Sequence, residues 1–301
     1  MSLRLCILNV GLRYVVRRRL LRTKTPEAAE RDFARVAPWV FRRPPFLRHL
    51  KRIGPVTSHW VSIGAYPSRK IILYFHGGAY IAGSGETHLS LLGRLAKLSG
   101  IEICAPDYRL LQDAPFPAAF DDALAIWDDL IAKGYPPSGI VLGGDSAGGG
   151  LALALLSKLC QRGQRPAAAF AIGPWTDMTL SGDSVAENAR NDVLLPVARM
   201  QDVVEQYLQS ADPKDPRCSP LFAEFDAPPR VLIHVGKQEV LLSDSLRIAE
   251  KIEKSGGRIN HRVFDKRPHV WHIFDGWIPE SRPAIKDIAA FVQMSLDVDK
   301  R

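Results

Sequence analysis

Five residues, Gly144-Asp145-Ser146-Ala147-Gly148, place a serine between small neighbours directly behind the apolar run Ile140-Val141-Leu142. A G-x-S-x-G pentapeptide in that position reads as strand, sharp turn and helix, with the hydroxyl raised at the apex as a nucleophile for acyl transfer. Backbone crowds such a turn on both sides, so the flanking positions must lack bulky side chains. The helix start behind it, Ala147 to Gly150, is correspondingly small. At ordinary glycine and serine usage the bare pattern arises by chance in roughly one 300-residue chain in ten, so the surrounding residues decide.

Acyl transfer puts negative charge on a carbonyl oxygen, which backbone N–H groups can meet only where no side chain intervenes. The apolar run Lys70 to Phe75 leads straight into His76-Gly77-Gly78-Ala79-Tyr80. The N–H groups of Gly77 and Gly78, with that of Ala147, are the expected oxyanion donors. A serine also needs a histidine base, and the histidine needs a carboxylate to hold its tautomer. Arg230 to Val235 reads as a strand emptying into Gly236-Lys237-Gln238-Glu239, and Ile259 to Phe264 as another that leads to His269-Val270-Trp271-His272. Glu239 and His269 thus follow strands at the sheet edge where Ser146 sits, in the chain order serine, acid, histidine. Asp244 competes for the acid role, although Ser243-Asp244-Ser245 also reads as the capped start of a helix carrying Leu246, Ile248, Ala249 and Ile252. His272 competes for the base.

With these residues in place, the chain resembles the hormone-sensitive-lipase-like, or family IV, esterases of the α/β-hydrolase fold. The resemblance rests on His76 to Ala79, Asp107-Tyr108-Arg109-Leu110, Pro115 to Asp122, Gly144 to Gly149, Gly236 to Leu241 and His269-Val270-Trp271. It spans about residues 55 to 295 and implies Ser146, Glu239 and His269 as the triad, with Gly77, Gly78 and Ala147 as the oxyanion hole. The family pattern places the acid before Leu241, favouring Glu239 over Asp244, and the histidine before Val-Trp, favouring His269 over His272. Two departures are visible: Ala79 stands where the family often has a third glycine, and Glu239 where aspartate is commoner. The resemblance further implies a serine carboxylesterase acting on short- to medium-chain acyl esters. An amidase or peptidase with the same triad is the nearest rival. A non-catalytic ligand-binding member, like the plant gibberellin receptors, is the rival from another class.

The elements that must position these groups alternate from about residue 55 onward, which argues for one α/β unit with a mostly parallel sheet flanked by helices. Strands are predicted near 56–63, 70–75, 101–105, 139–143, 167–173, 230–235 and 259–264. Helices are predicted at 86–98, 117–132, 147–162, 196–209, 243–254 and 283–296. Residues 1–52 and a Pro-punctuated stretch at about 179–221 fall outside the alternation and read as two parts of a helical cap, with 53–301 as the catalytic domain. In the resembling family such segments roof the acyl pocket, making Phe33, Trp39, Val40, Phe41, Leu194, Tyr207 and Phe222 candidate lining residues.

Charge is asymmetric. Residues 1–52 carry fourteen Lys and Arg against three acids, +11, leaving −3 for the rest of a chain whose total is +8. Arg17-Arg18-Arg19 with Arg22 and Lys24 could meet anionic lipid or nucleic acid, but a solvated face with structural ion pairs is the plainer reading. No nucleic-acid fold signature accompanies the charge. Leu5 to Leu12 is too short for a membrane span and lacks a small-residue cleavage site. Cys6, Cys104, Cys160 and Cys218 are scattered and read as reduced thiols of a cytoplasmic protein. No metal-ligand spacing and no cofactor motif occurs. The expected partner is a small-molecule ester, without nucleic acid or stable membrane insertion, and a homodimer is compatible with the sequence.

Overall fold

A computed structural model describes residues 1–64 and 69–297. The predicted catalytic stretch 53–301 therefore includes residues 65–68 and 298–301, which lie outside the described residues. Eight strands form one sheet: β1 (Arg48–Arg52), β2 (Ser58–Ser62), β3 (Ile71–Phe75), β4 (Glu102–Pro106), β5 (Ile140–Asp145), β6 (Ala168–Ile172), β7 (Val231–Gly236) and β8 (Ile259–Phe264). Their spatial order is β1-β2-β4-β3-β5-β6-β7-β8; β2 pairs antiparallel with both β1 and β4, and every other pair is parallel.

The helices are α1 (Leu3–Gly11), α2 (Arg17–Arg22), α3 (Pro26–Val40), α4 (Leu89–Ser99), α5 (Ala118–Ala132), α6 (Ser146–Gln161), α7 (Asp183–Glu187), α8 (Val197–Leu208), α9 (Leu242–Lys254) and α10 (Ser281–Ser295). Local chemistry sets several ends. The Ser2 hydroxyl caps α1 by accepting from Leu5 N at 3.2 Å. Thr25 does the same for α3 from Ala28 N at 3.3 Å, with Pro26 pre-set for the first turn. A π-helical turn, Leu12–Val16, joins α1 to α2.

Alternation along the strands divides the core. Ile71, Leu73 and Phe75 pack one way, with Phe120 and Trp127 of α5, Leu151 and Leu155 of α6, and Ile248 of α9. Ile72 and Tyr74 pack the other way, with Leu92 of α4 and Ile285 and Phe291 of α10. Strands β3 to β7 are buried on both faces, which explains why they read as largely apolar runs, whereas the edge strand β8 is partly exposed.

Each of the seven predicted strands is present, and β1 is an addition. It lies inside the segment assigned to the cap, so that segment's helical part ends at Val40 and its tail joins the sheet, Leu50 pairing with Trp60. The strand is mostly exposed and rich in Arg and Lys, the usual way to protect a sheet edge, and this hides it from a hydrophobicity reading.

Candidate active site

Strand register brings the expected groups to one edge. Phe75 pairs with Gly144, so the His76–Ala79 loop leaves the sheet beside the serine turn. Asp145 pairs with Ile172, and Gly236 with Phe264, so the loops after β6, β7 and β8 emerge next to it in turn. Ser146 opens α6 with φ of 53°, a left-handed backbone that a non-glycine residue holds only under strain. A Cβ on Gly144 would stand 2.3 Å from the Gly148 carbonyl oxygen, which is the physical content of the glycines in the pentapeptide.

Glu239 sits in the turn between β7 and α9. Its Oε1 accepts from Gly236 N at 2.5 Å, and its Oε2 lies 2.5 Å from His269 Nδ1. Both side chains are buried. Burial alone would push the His269 imidazole down, but the Glu239 charge and hydrogen bond outweigh it, with Asp192 and Asp145 adding to the effect, and the pKa is raised above its ordinary value. His269 Nε2 is buried and makes no hydrogen bond, so the serine–histidine bond is not formed in this structure. Such contacts commonly tighten only when substrate binds.

The competing residues have other partners. The Asp244 carboxylate accepts from the N–H groups of Thr176 and Asp177 at 2.7 and 2.9 Å, and burial pushes its pKa up to about 7. It ties the loop after β6 to α9 rather than capping its own helix, which starts at Leu242. His272 is fully buried with Nε2 3.1 Å from His234 Nδ1, and burial holds its pKa well below the ordinary value. His234 in turn contacts Asp287 at 2.9 Å. His76 stacks on Tyr108 at 4.3 Å, Nδ1 lies 2.9 Å from its neighbour's carbonyl, and burial lowers its pKa to about 4.

The glycine loop differs from expectation at one residue. Gly77 N–H donates to Asp145 Oδ1 at 3.0 Å, inside the protein, and so is not available to an oxyanion. Among the described residues no such bond engages the N–H of Gly78 or Ala79. Gly78 has φ of 131°, and a Cβ there would stand 1.9 Å from the Ala82 carbonyl oxygen. The anchor of this loop is Asp145, which also accepts from the Tyr74 hydroxyl at 2.7 Å and lies 3.5 Å from His88 Nε2. Burial opposes its ionisation, yet His88, the Tyr74 hydroxyl and His76 lower its pKa. In the sequence, Asp145 stands only as a member of the pentapeptide, and His88 has no neighbour that marks it. Nothing local reveals contacts made across 57 to 71 residues of chain.

Ser146, His269, Gly78 and Ala79 line a cavity of about 330 Å³. Its roof comes from two places in the chain: Leu12, Val16, Leu20, Phe33, Val40 and Phe41, and then Leu194, Leu195, Met200 and Val203. Of the predicted lining residues, Phe33, Val40, Phe41 and Leu194 are there. Trp39 instead points to water, being 84% exposed, and Tyr207 is in the core, stacked 4.4 Å from Tyr80. Phe222 is packed against that core, with Lys214 over its ring. Among the described residues no cluster of three or more His, Cys, Asp or Glu could hold a metal ion, and no helix is long and apolar enough to cross a membrane.

Known proteins share this sequence pattern and fold. A family model for the alpha/beta hydrolase fold matches residues 72–273. An acetyl-hydrolase of Streptomyces hygroscopicus is 36% identical over 242 residues, 80% of this chain and 81% of that protein. An esterase of Acinetobacter venetianus is 35% identical, covering 76% of each chain. In three dimensions, an esterase from the bacterial hormone-sensitive lipase family superposes with a TM-score of 0.92 at 32% identity, covering 98% of this chain and 99% of that one.

Proposed function

Since the chain belongs to the hormone-sensitive-lipase-like esterases of the α/β-hydrolase fold, and so is a carboxylic ester hydrolase, we propose that it cleaves short- to medium-chain acyl esters through an acyl-enzyme on Ser146. The observation that carries this reading is the buried Glu239–His269 contact at the cavity that Ser146 lines. Glu239 accepts a hydrogen bond from Nδ1–H of His269, leaving Nε2 as the basic atom. Nε2 takes the hydroxyl proton as Ser146 Oγ bonds to the ester carbon. The N–H groups of Gly78, Ala79 and Ala147 receive the developing oxyanion, Ala79 replacing Gly77 in this role. The C–O bond to the alcohol then breaks, and His269 returns its proton to the leaving oxygen. Water repeats the sequence, releasing the carboxylic acid and restoring the serine.

The helices α1 to α3 and the stretch through α7 and α8 serve as a two-part cap over this cavity. Its volume is roughly twice that of the ~150 Å³ dry cavity that holds a benzene molecule, which suits acyl chains up to roughly eight carbons. A series of p-nitrophenyl esters of increasing acyl length tests both parts. Activity is expected to peak at or below the octanoate, and Ser146→Ala to lose about 10⁴-fold or more. A Ser146→Ala enzyme within tenfold of the parent would remove the acyl-enzyme from consideration.

A further inference from the structure

The first helical stretch is apolar on two sides. Leu5 and Leu12 are buried, and Leu12, Val16 and Leu20 wall the acyl cavity. On the outer side Leu3, Ile7, Val10 and Tyr14 are 76%, 64%, 58% and 54% exposed. Their spacing of four, three and four residues sets them in one stripe along about 17 Å of helix.

The stripe lies in a segment of one sign. Residues 1–26 contain six Arg and one Lys and no carboxylate side chain. Arg13 and Arg17 donate to the carbonyls of Arg190, Asn191 and Ala189, and Arg19 pairs with Asp32. Among the described residues Arg4, Arg18, Arg22 and Lys24 have no carboxylate partner. Arg18 lies over the Tyr14 ring, 5.4 Å from its centre. Pairing of this face with a second copy of itself would bring two uncompensated cationic segments together. A surface of opposite charge that also accepts apolar side chains has neither problem, and an anionic lipid headgroup layer is such a surface: apolar residues enter the acyl boundary while Arg and Lys meet phosphate.

We propose that the outer face of Leu3–Arg22 docks on an anionic lipid surface. The opposite face of the same helix walls the acyl cavity, so docking holds the ester site about one helix diameter, 10–12 Å, from the lipid. The contact is peripheral and does not depend on the assignment of the triad.

Sedimentation of the full-length protein with phosphatidylcholine vesicles, with and without phosphatidylserine, tests this. Binding is expected to be at least about tenfold tighter with the anionic lipid and to weaken as salt is raised. Ile7→Glu with Val10→Glu should lower binding by a further tenfold or more while leaving hydrolysis of dissolved p-nitrophenyl acetate unchanged, which confirms the fold. Ser146→Ala should bind vesicles as the parent does, which separates this proposal from the assignment of the nucleophile. Equal binding to both vesicle types, or unaltered binding by the double variant, overturns the proposal. So does a parent dimer in solution that the double variant dissociates, since the stripe would then be an interface between copies.

Discussion

Replacing Glu239 by Gln tests the base and its orienting acid together. The substitution keeps the size of the side chain, and its carbonyl can still accept from Gly236 N. The other terminal atom, now an amide –NH₂ about 2.5 Å from His269 Nδ1, is a donor facing a donor. The imidazole resolves this by moving its proton to Nε2, the atom that must accept from Ser146. A triad with its carboxylate exchanged for an amide in this way loses about 10⁴ in kcat, and a fall of about 10³ to 10⁴ is expected here. The pH profile adds a signed test. Turnover requires neutral His269, and Glu239 holds the His269 pKa above its ordinary value against the pull of burial. In the parent, kcat/KM therefore falls as pH drops through that raised pKa. With the charge gone, burial prevails and the acidic limb moves to lower pH, beneath a much lower plateau. Steady-state kinetics on p-nitrophenyl butyrate between about pH 5 and 9 measure both effects. Activity within tenfold of the parent, or an acidic limb that stays in place, would refute the reasoning.

Two further substitutions separate support from chemistry. Asp145→Ala strips the Tyr74 hydroxyl and Gly77 N–H of a buried acceptor; at about 1–3 kcal/mol for each unpaired donor, a loss of about 2–6 kcal/mol is expected in urea unfolding, with kcat reduced as the loop loosens, and an unshifted midpoint would contradict the anchoring role. Asp244→Asn should retain activity within tenfold. Because burial raises the Asp244 pKa from 3.8 to about 7, the folded state binds this proton more tightly than the unfolded one. Its stabilising contribution is complete below about pH 4 and is lost as pH rises through 7, by at most about 4 kcal/mol. The Asn variant should flatten that stretch of the stability profile, and an unchanged slope would count against it.

What could be read from the chain followed from range. The serine turn, the glycine loop and the segments bearing Glu239 and His269 are each written in fewer than ten consecutive residues, and apolar strands buried on both faces announce themselves by composition. The engagement of the Gly77 N–H is invisible in the sequence because its partner, Asp145, lies 68 residues away and is adjacent only through the pairing of β3 with β5. The edge strand β1 was missed for the opposite reason: its residues are those that protect an edge, and they carry no apolar alternation. Trp39 and Tyr207, both expected in the cavity wall, lie outside it, one in solvent and the other in the core. One helix turn decides whether a ring faces the cavity, and residue type is silent on that.

Asp192 joins two parts of the molecule that enzyme engineering usually treats as separate. One of its oxygens accepts from the N–H groups of Leu194 and Leu195, in the cavity wall, and the other from Val240, the residue after Glu239. Recutting the pocket from that side shifts the frame on which the catalytic acid is hung, so selectivity gained there comes with altered basicity. Phe33 and Phe41 contact each other and, respectively, His88 and Phe274. Phe41, which does not touch His88, offers the quieter place to redraw the outline of the bound chain.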